Sequence, residues 1–153
     1  TDKLISYDFK SKGFNLLNES TFISHCNWIN DKKIISFCAP DMFSEKGYYF
    51  YDFEKKQWEK TLVGENGVVD GHPTSYKKNM FISDTYPNKH RMKELVVFDV
   101  QKNKKKILAE LYESPRFMFE NRCDLHPRLN YKKNRVYFDS VHEGKRGLYF
   151  FNL

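Results

Sequence analysis

The sequence predicts an all-β fold assembled from repeated four-stranded antiparallel units, and three observations predict it. A short apolar run closed by Asp or Asn occurs four times at near-constant spacing. A second pattern, a histidine segment leading into another apolar strand, precedes three of those runs. No segment sustains a 3.6-residue apolar period, so helical and coiled-coil readings fail. Composition agrees: the 153 residues include 14 Phe and 10 Tyr, which pack well on pleated strands, whereas alanine, the best helix former, is scarce.

The Asp-ended runs are Leu4-Ile5-Ser6-Tyr7-Asp8-Phe9, Tyr48-Tyr49-Phe50-Tyr51-Asp52-Phe53, Leu95-Val96-Val97-Phe98-Asp99-Val100 and Leu148-Tyr149-Phe150-Phe151-Asn152-Leu153. The closing residues are spaced 44, 47 and 53 apart, the period of a propeller blade, about 40–50 residues. An Asp or Asn there bonds backbone two residues on and starts a turn. A polar, Lys-rich turn follows the first three runs, then a last strand at Phe14-Asn15-Leu16-Leu17, Trp58-Glu59-Lys60-Thr61-Leu62 and Ile107-Leu108-Ala109-Glu110-Leu111.

The histidine pattern supplies the two strands that come before. Ser24-His25-Cys26-Asn27-Trp28 leads into Lys33-Ile34-Ile35-Ser36-Phe37, Asp70-Gly71-His72-Pro73 into Met80-Phe81-Ile82-Ser83, and Asp124-Leu125-His126-Pro127 into Val136-Tyr137-Phe138. The reading is therefore a β-propeller with a half blade at 2–19, complete blades at 22–63 and 70–112, and a partial blade at 124–153. Propellers have four to eight blades, so about three and a half are expected to be the C-terminal part of a larger ring. The uncovered blade edge is expected to pair with another copy. A β-sandwich is the alternative that strand pattern alone leaves open.

The net charge is +6 and the pI about 9.1. The lysines cluster in predicted turns, at Lys77-Lys78, Lys102 to Lys106 and Lys132-Lys133, as solvated loop tips do. A basic surface favours an acidic partner, but no nucleic-acid-binding motif accompanies it. No apolar run reaches the roughly 18 residues of a membrane span. Cys26, Cys38 and Cys123 are odd in number and lack CxxC spacing, which indicates reduced thiols rather than a disulfide framework or zinc site. The expected compartment is the cytoplasm, or the periplasm if an upstream signal has been removed.

His25, His72 and His126 hold equivalent places at the start of the innermost strand of successive blades, so they converge near one axis. Imidazoles meeting at a channel suit a divalent transition metal; the competing reading is that each braces the turn of its own blade. His142, after the second strand of the last blade, is a fourth candidate ligand. Asp70 and Asp124 precede His72 and His126 by two residues. In an extended segment that spacing shares a face and lets each Asp orient its imidazole, or else cap the turn. Arg122 and Arg128 flank the last pair and suit bidentate carboxylate binding. Asp84 and Tyr86 on one loop and Asp139 on the matching loop complete the expected substrate rim. Ser24, Ser83 and Ser140 lack a nucleophile-elbow context, which excludes a serine hydrolase of that type. No glycine-rich phosphate loop occurs.

The segments Asp70-Gly71-His72-Pro73, Asp84-Thr85-Tyr86-Pro87, Arg122 to Arg128 and Phe138 to Gly144 resemble a group of mostly uncharacterised bacterial propellers. That group has TolB-like, WD40-type repeats and is in part associated with surface-polysaccharide genes. More distantly, the repeats and axial histidines resemble the propeller of oligogalacturonate lyases. The resemblance implies a divalent metal, commonly manganese, held by histidines and a glutamine at the channel mouth, and β-elimination of a uronate chain. On this chain the implied ligands are His72 and His126 with His25 or His142. Gln57 and Gln101, the only glutamines, fall in outer hairpins. The expected function is recognition or processing of an acidic oligosaccharide at the channel mouth. The alternative is a non-catalytic scaffold for a protein partner in polysaccharide assembly.

Overall fold

The computed structural model describes residues 2–20, 22–61 and 68–153. Among the described residues, thirteen strands make four antiparallel sheets. A two-stranded sheet pairs β1 (Asp2–Asp8) with β2 (Gly13–Ser20). The next runs in sequence order through β3 (Phe22–Asn30), β4 (Lys33–Ala39), β5 (Gly47–Asp52) and β6 (Gln57–Lys60). The third does the same through β7 (Thr74–Lys77), β8 (Met80–Asp84), β9 (Met92–Asp99) and β10 (Lys104–Tyr112). The last holds β11 (Arg128–Asn130), β12 (Arg135–Ser140) and β13 (Gly147–Asn152). Leu62 and the expected blade limit at 63 lie outside the described residues.

Each sheet is a meander, and the first strands of the last three, β3, β7 and β11, pack side by side in sequence order. The core lies between sheets. Alternate residues of one strand serve two neighbours, as the two-residue side-chain period requires. In β8, Phe81 joins Ile35, Phe37 and Tyr48 of the preceding sheet, while Ile82 joins Val136 and Phe138 of the following one. In β9, Val96 and Phe98 face the first cluster, and Leu95 and Val97 the second. Burying each such side chain contributes about 1.5–3 kcal/mol. Between these sheets the buried Tyr48 hydroxyl meets Ser83 Oγ at 2.7 Å. That bond satisfies a hydroxyl that burial pushes well above its usual pKa.

The repeated turn Asp acts as its spacing predicts. Asp8 accepts from the Lys10 N–H at 2.9 Å, Asp52 from Glu54 and Lys55 at 2.9 and 3.1 Å, and Asp99 from Lys102 at 3.0 Å. Four residues after each Asp, at Lys12, Lys56 and Asn103, φ is +52°, +54° and +49°. Asn152 instead accepts from Arg135 Nε at 2.9 Å. All three cysteines are free thiols. Burial pushes Cys38 up to about 12, so that thiol stays protonated. Among the described residues, no helix is long and apolar enough to cross a membrane.

Candidate functional site at the channel mouth

The three histidines meet. The His25 and His72 rings lie 3.9 Å apart centre to centre, and His72 and His126 4.0 Å apart. Each gets there by a local departure from regular strand. Ser24 and His25 fall where the β3–β4 register slips between Ile23 and Cys26, and such irregularities re-aim side chains. His72 stands two residues before β7, in a segment pressed against the end of β8. A Cβ on Gly71 would sit 1.9 Å from the Asp84 carbonyl oxygen, so only glycine permits that approach. His126 has φ +44°, a left-handed conformation that costs a non-glycine residue about 1 kcal/mol or more.

Asp84 holds two of these segments at once. Its carboxylate accepts from the His72 N–H at 2.6 Å and the His126 N–H at 2.9 Å, and both its oxygens lie 3.0 Å from His72 Nδ1. The side chain is 1% exposed. Burial alone would raise this carboxyl. The His72 side-chain bond and charge, with the two backbone N–H groups, outweigh it and hold the group below the usual carboxylate range. The expectation put Asp84 on a substrate rim; the structure buries it behind the histidines, its oxygens already spent on them.

Asp70 does not serve His72. It reaches back to the preceding sheet, where Oδ2 accepts from Ser24 Oγ at 2.6 Å and Oδ1 lies 3.2 Å from His25 Nδ1. His25 and His72 thus each face a carboxylate through Nδ1, which leaves Nε2 as the free nitrogen of each ring. Asp124 does not orient His126 either. Arg122 Nε donates to its Oδ2 at 3.0 Å. Arg122 Nε also lies 2.8 Å, and Lys93 Nζ 3.5 Å, from its Oδ1. These are charge contacts without hydrogen-bond alignment, because buried Oδ1 has no hydrogen-bond partner. Although His126 is exposed as a residue, lost hydration at its ring and the charge of His72 push its pKa below the usual imidazole value.

Tyr86 and Arg122 stand beside the cluster. The Tyr86 ring centre is 6.3 Å from both His25 and His72, and the Arg122 guanidinium lies 4.5 Å over it. Burial, then the Asp70 charge, push the Tyr86 phenol up, so it remains a hydrogen-bond donor. Arg128 and Asp139 pair with each other through two bonds of 2.9 and 3.1 Å. His142 bonds Ser140 Oγ through Nδ1 at 2.8 Å, and its ring packs on Tyr149 at 4.4 Å. Gln57 opens β6 and Gln101 follows β9, where Asn79 donates to it at 3.3 Å.

One ligand atom from each of His72, Asp124 and His126 lies within 4.8 Å of the other two. Two nitrogens and a carboxylate oxygen are a donor set that manganese or zinc accepts, and Asp124 Oδ1 has no hydrogen-bond partner, only the charge contacts to Arg122 and Lys93. Sequence reasoning gave Asp124 only an orienting role; its spacing from His126 was the available signal for more.

No family model matches the chain, and a search of curated proteins found no match. Solved structures do match. TolB from Acinetobacter baumannii superposes with a TM-score of 0.74 at 15% identity, over 99% of this chain and 35% of that one. An oligogalacturonate lyase in complex with manganese gives 0.69 at 17%, over 97% of this chain and 40% of that one. An oligogalacturonate lyase from Vibrio parahaemolyticus gives 0.66 at 15%, over 94% and 40%. The fold is that of a β-propeller. The chain spans between a third and two fifths of the length of the solved propellers it matches. At these identities the likeness carries the fold alone.

Proposed function

We propose that the channel mouth holds a divalent metal on His72, Asp124 and His126 and uses it, with Arg122, to recognise the carboxylate of a uronate in an acidic oligosaccharide. The observation that carries this reading is the convergence of three imidazoles from successive sheets, two of them backed by carboxylates at Nδ1. Struts for separate blade turns have no reason to stack on one another. The manganese complex of an oligogalacturonate lyase with the same fold supports it. A bound ion would neutralise the sugar carboxylate and stabilise charge that develops beside it.

The chain's own groups divide the remaining work. Arg122 uses Nε on Asp124, and its two terminal nitrogens have no hydrogen-bond partner among the described residues, which leaves a fork for a carboxylate. His25 lies outside the metal-donor set and is backed by Asp70, so it is the imidazole left to move a proton. His25 would take the C5 proton as the C4–O bond breaks and a C4=C5 double bond forms, and the departing oxygen would take up a proton from water, leaving one unsaturated sugar and one new hydroxyl end.

The test is calorimetric titration of the full chain with manganese and zinc, followed by galacturonate oligomers. Wild type should bind one ion. Asp124→Asn should weaken binding at least tenfold with an unchanged circular dichroism spectrum, and His72→Ala with His126→Ala should abolish it. Near-ultraviolet absorbance growing with oligomer would add elimination to recognition. Absence of metal binding in a folded wild type refutes the reading. A second reading, a scaffold for a protein partner or a second copy, draws on a different surface. Phe9 in the turn after β1 and Phe14 on β2 are 85% and 72% exposed, and Leu148 and Phe150 on β13 63% and 49%. Sedimentation that stays monomeric at all concentrations argues against the self-pairing form.

A further inference from the structure

We propose that the groove between Tyr86-Pro87 and the 114–122 loop is a second sugar subsite, seating the pyranose next to the uronate held at the histidine cluster. The proposal rests on the reading of that cluster as a carboxylate site. The groove is open to solvent, has a volume of about 310 Å³ and is walled by Tyr86, Pro87, Phe117, Met118, Phe119 and Arg122. It adjoins the cluster, because Tyr86 forms its wall and its ring centre also lies 6.3 Å from both His25 and His72.

The loop that forms the far wall is long, yet it is held in one shape by charge. Arg91 bonds the Glu113 carbonyl at 3.1 Å, its carboxylate at 2.6 Å and the Phe117 carbonyl at 3.2 Å. Glu113 Oε1 takes the Lys93 ammonium at 2.6 Å and the Cys123 N–H at 3.1 Å. Lys93 also donates to the Cys123 carbonyl at 2.8 Å, and Arg146 to the Arg122 carbonyl at 3.1 Å. Lys93 and Glu113 are almost wholly buried, at 2% and 1% side-chain exposure. A loop so anchored has little freedom to fold its side chains away.

That rigid loop presents Phe119 to solvent. The residue is 86% exposed and its φ is +53°, so the chain bears both an exposed ring and a disfavoured backbone conformation at one position. The backbone conformation opens the short 3-10 turn in which the Phe119 carbonyl accepts the Arg122 N–H at 3.2 Å, but the ring makes no aromatic contact among the described residues. A ligand accounts for the exposed ring. A pyranose offers an apolar C–H face for an aromatic plate and a hydroxyl edge for polar groups, and aromatic walls with a few placed polar groups are how such sites are built. Arg122, whose fork takes the first uronate's carboxylate, also lines the groove, so the occupant there is the sugar joined to that uronate rather than an unconnected apolar group.

The experiment titrates the full chain, with manganese present, against galacturonate, its dimer and its trimer. The dimer should bind about tenfold more tightly than the monomer, the scale of one aromatic stacking contact, and the trimer little better than the dimer. Phe119→Ala should shrink that dimer gain to about twofold, and Phe119→Tyr should keep it. Saturation-transfer NMR should place the strongest aromatic contact on the second ring. If galacturonate binds but the gain is absent, or survives Phe119→Ala, the subsite is refuted while the cluster reading stands. If galacturonate does not bind at all, both fall. Because Phe119 is exposed, an unchanged melting curve should accompany each variant.

Discussion

Two ends of the same antiparallel strands use aspartate in opposite ways. At the tight-turn end, Asp8, Asp52 and Asp99 bond backbone two or three residues ahead, and the lysine runs gather around them. At the mouth, Asp70 bonds residues 45 and 46 positions away, and Asp84 residues 12 and 42 away. The first kind of contact forms with the hairpin itself; the bonds from Asp70 to Ser24 and His25, and from Asp84 to His126, exist only when neighbouring sheets have docked. The turn end builds each blade, and the mouth end ties blades together around the histidine cluster.

The comparison would be broken most forcefully at Glu113. Glu113→Ala leaves Lys93 buried without its carboxylate, which should cost about 3–5 kcal/mol in urea unfolding; a loss under about 1 kcal/mol would mean the mouth is no more interdependent than the turns. Gly71→Ala forces Asp84 away from the histidine segment and should cost about 1–3 kcal/mol, with weaker metal binding as a second readout. At the turn end the sign reverses. Lys56→Gly relieves a left-handed φ of +54° and should stabilise by about 1 kcal/mol. The mildest effect is a pH slope. The Lys33 bond, then the Lys55 and Glu54 N–H groups, hold the Asp52 carboxyl below the usual range. Its contribution is therefore complete above the unfolded value of about 3.9 and is lost as pH falls through the lower folded value. Asp52→Asn should flatten that acid limb, read as the urea midpoint between neutral and acidic pH.

The fold was legible because its signals are local. The Asp-ended runs and their Lys-rich turns repeat within each blade, and an Asx turn needs only its next few residues. The meeting of the three histidines was legible for the same reason: equivalent positions in a repeat become neighbours at an axis. Their partners were not. The same-face argument paired Asp70 with His72 and Asp124 with His126 on the assumption of extended chain. His126 at φ +44° breaks that alternation, and Gly71 lets its segment lie so close to Asp84 that this carboxylate takes His72 instead. Phe119 gave no sequence signal, since an aromatic residue in a strand-rich chain reads as core.

Strands β8 and β9 each belong to two cores, Phe81, Val96 and Phe98 on one side and Ile82, Leu95 and Val97 on the other. Among the described residues, the β7–β10 sheet therefore owns no hydrophobic interior of its own, and peeling a neighbouring sheet away strips burial from it. Unlike a solenoid whose end repeats can fray, this stack has no cheap partial opening at its middle sheet. Amide protons of β4, β8 and β9 should exchange with one shared free energy. The histidine mouth, tied to the ends of the same strands, inherits that cooperativity and stays assembled until the whole array lets go.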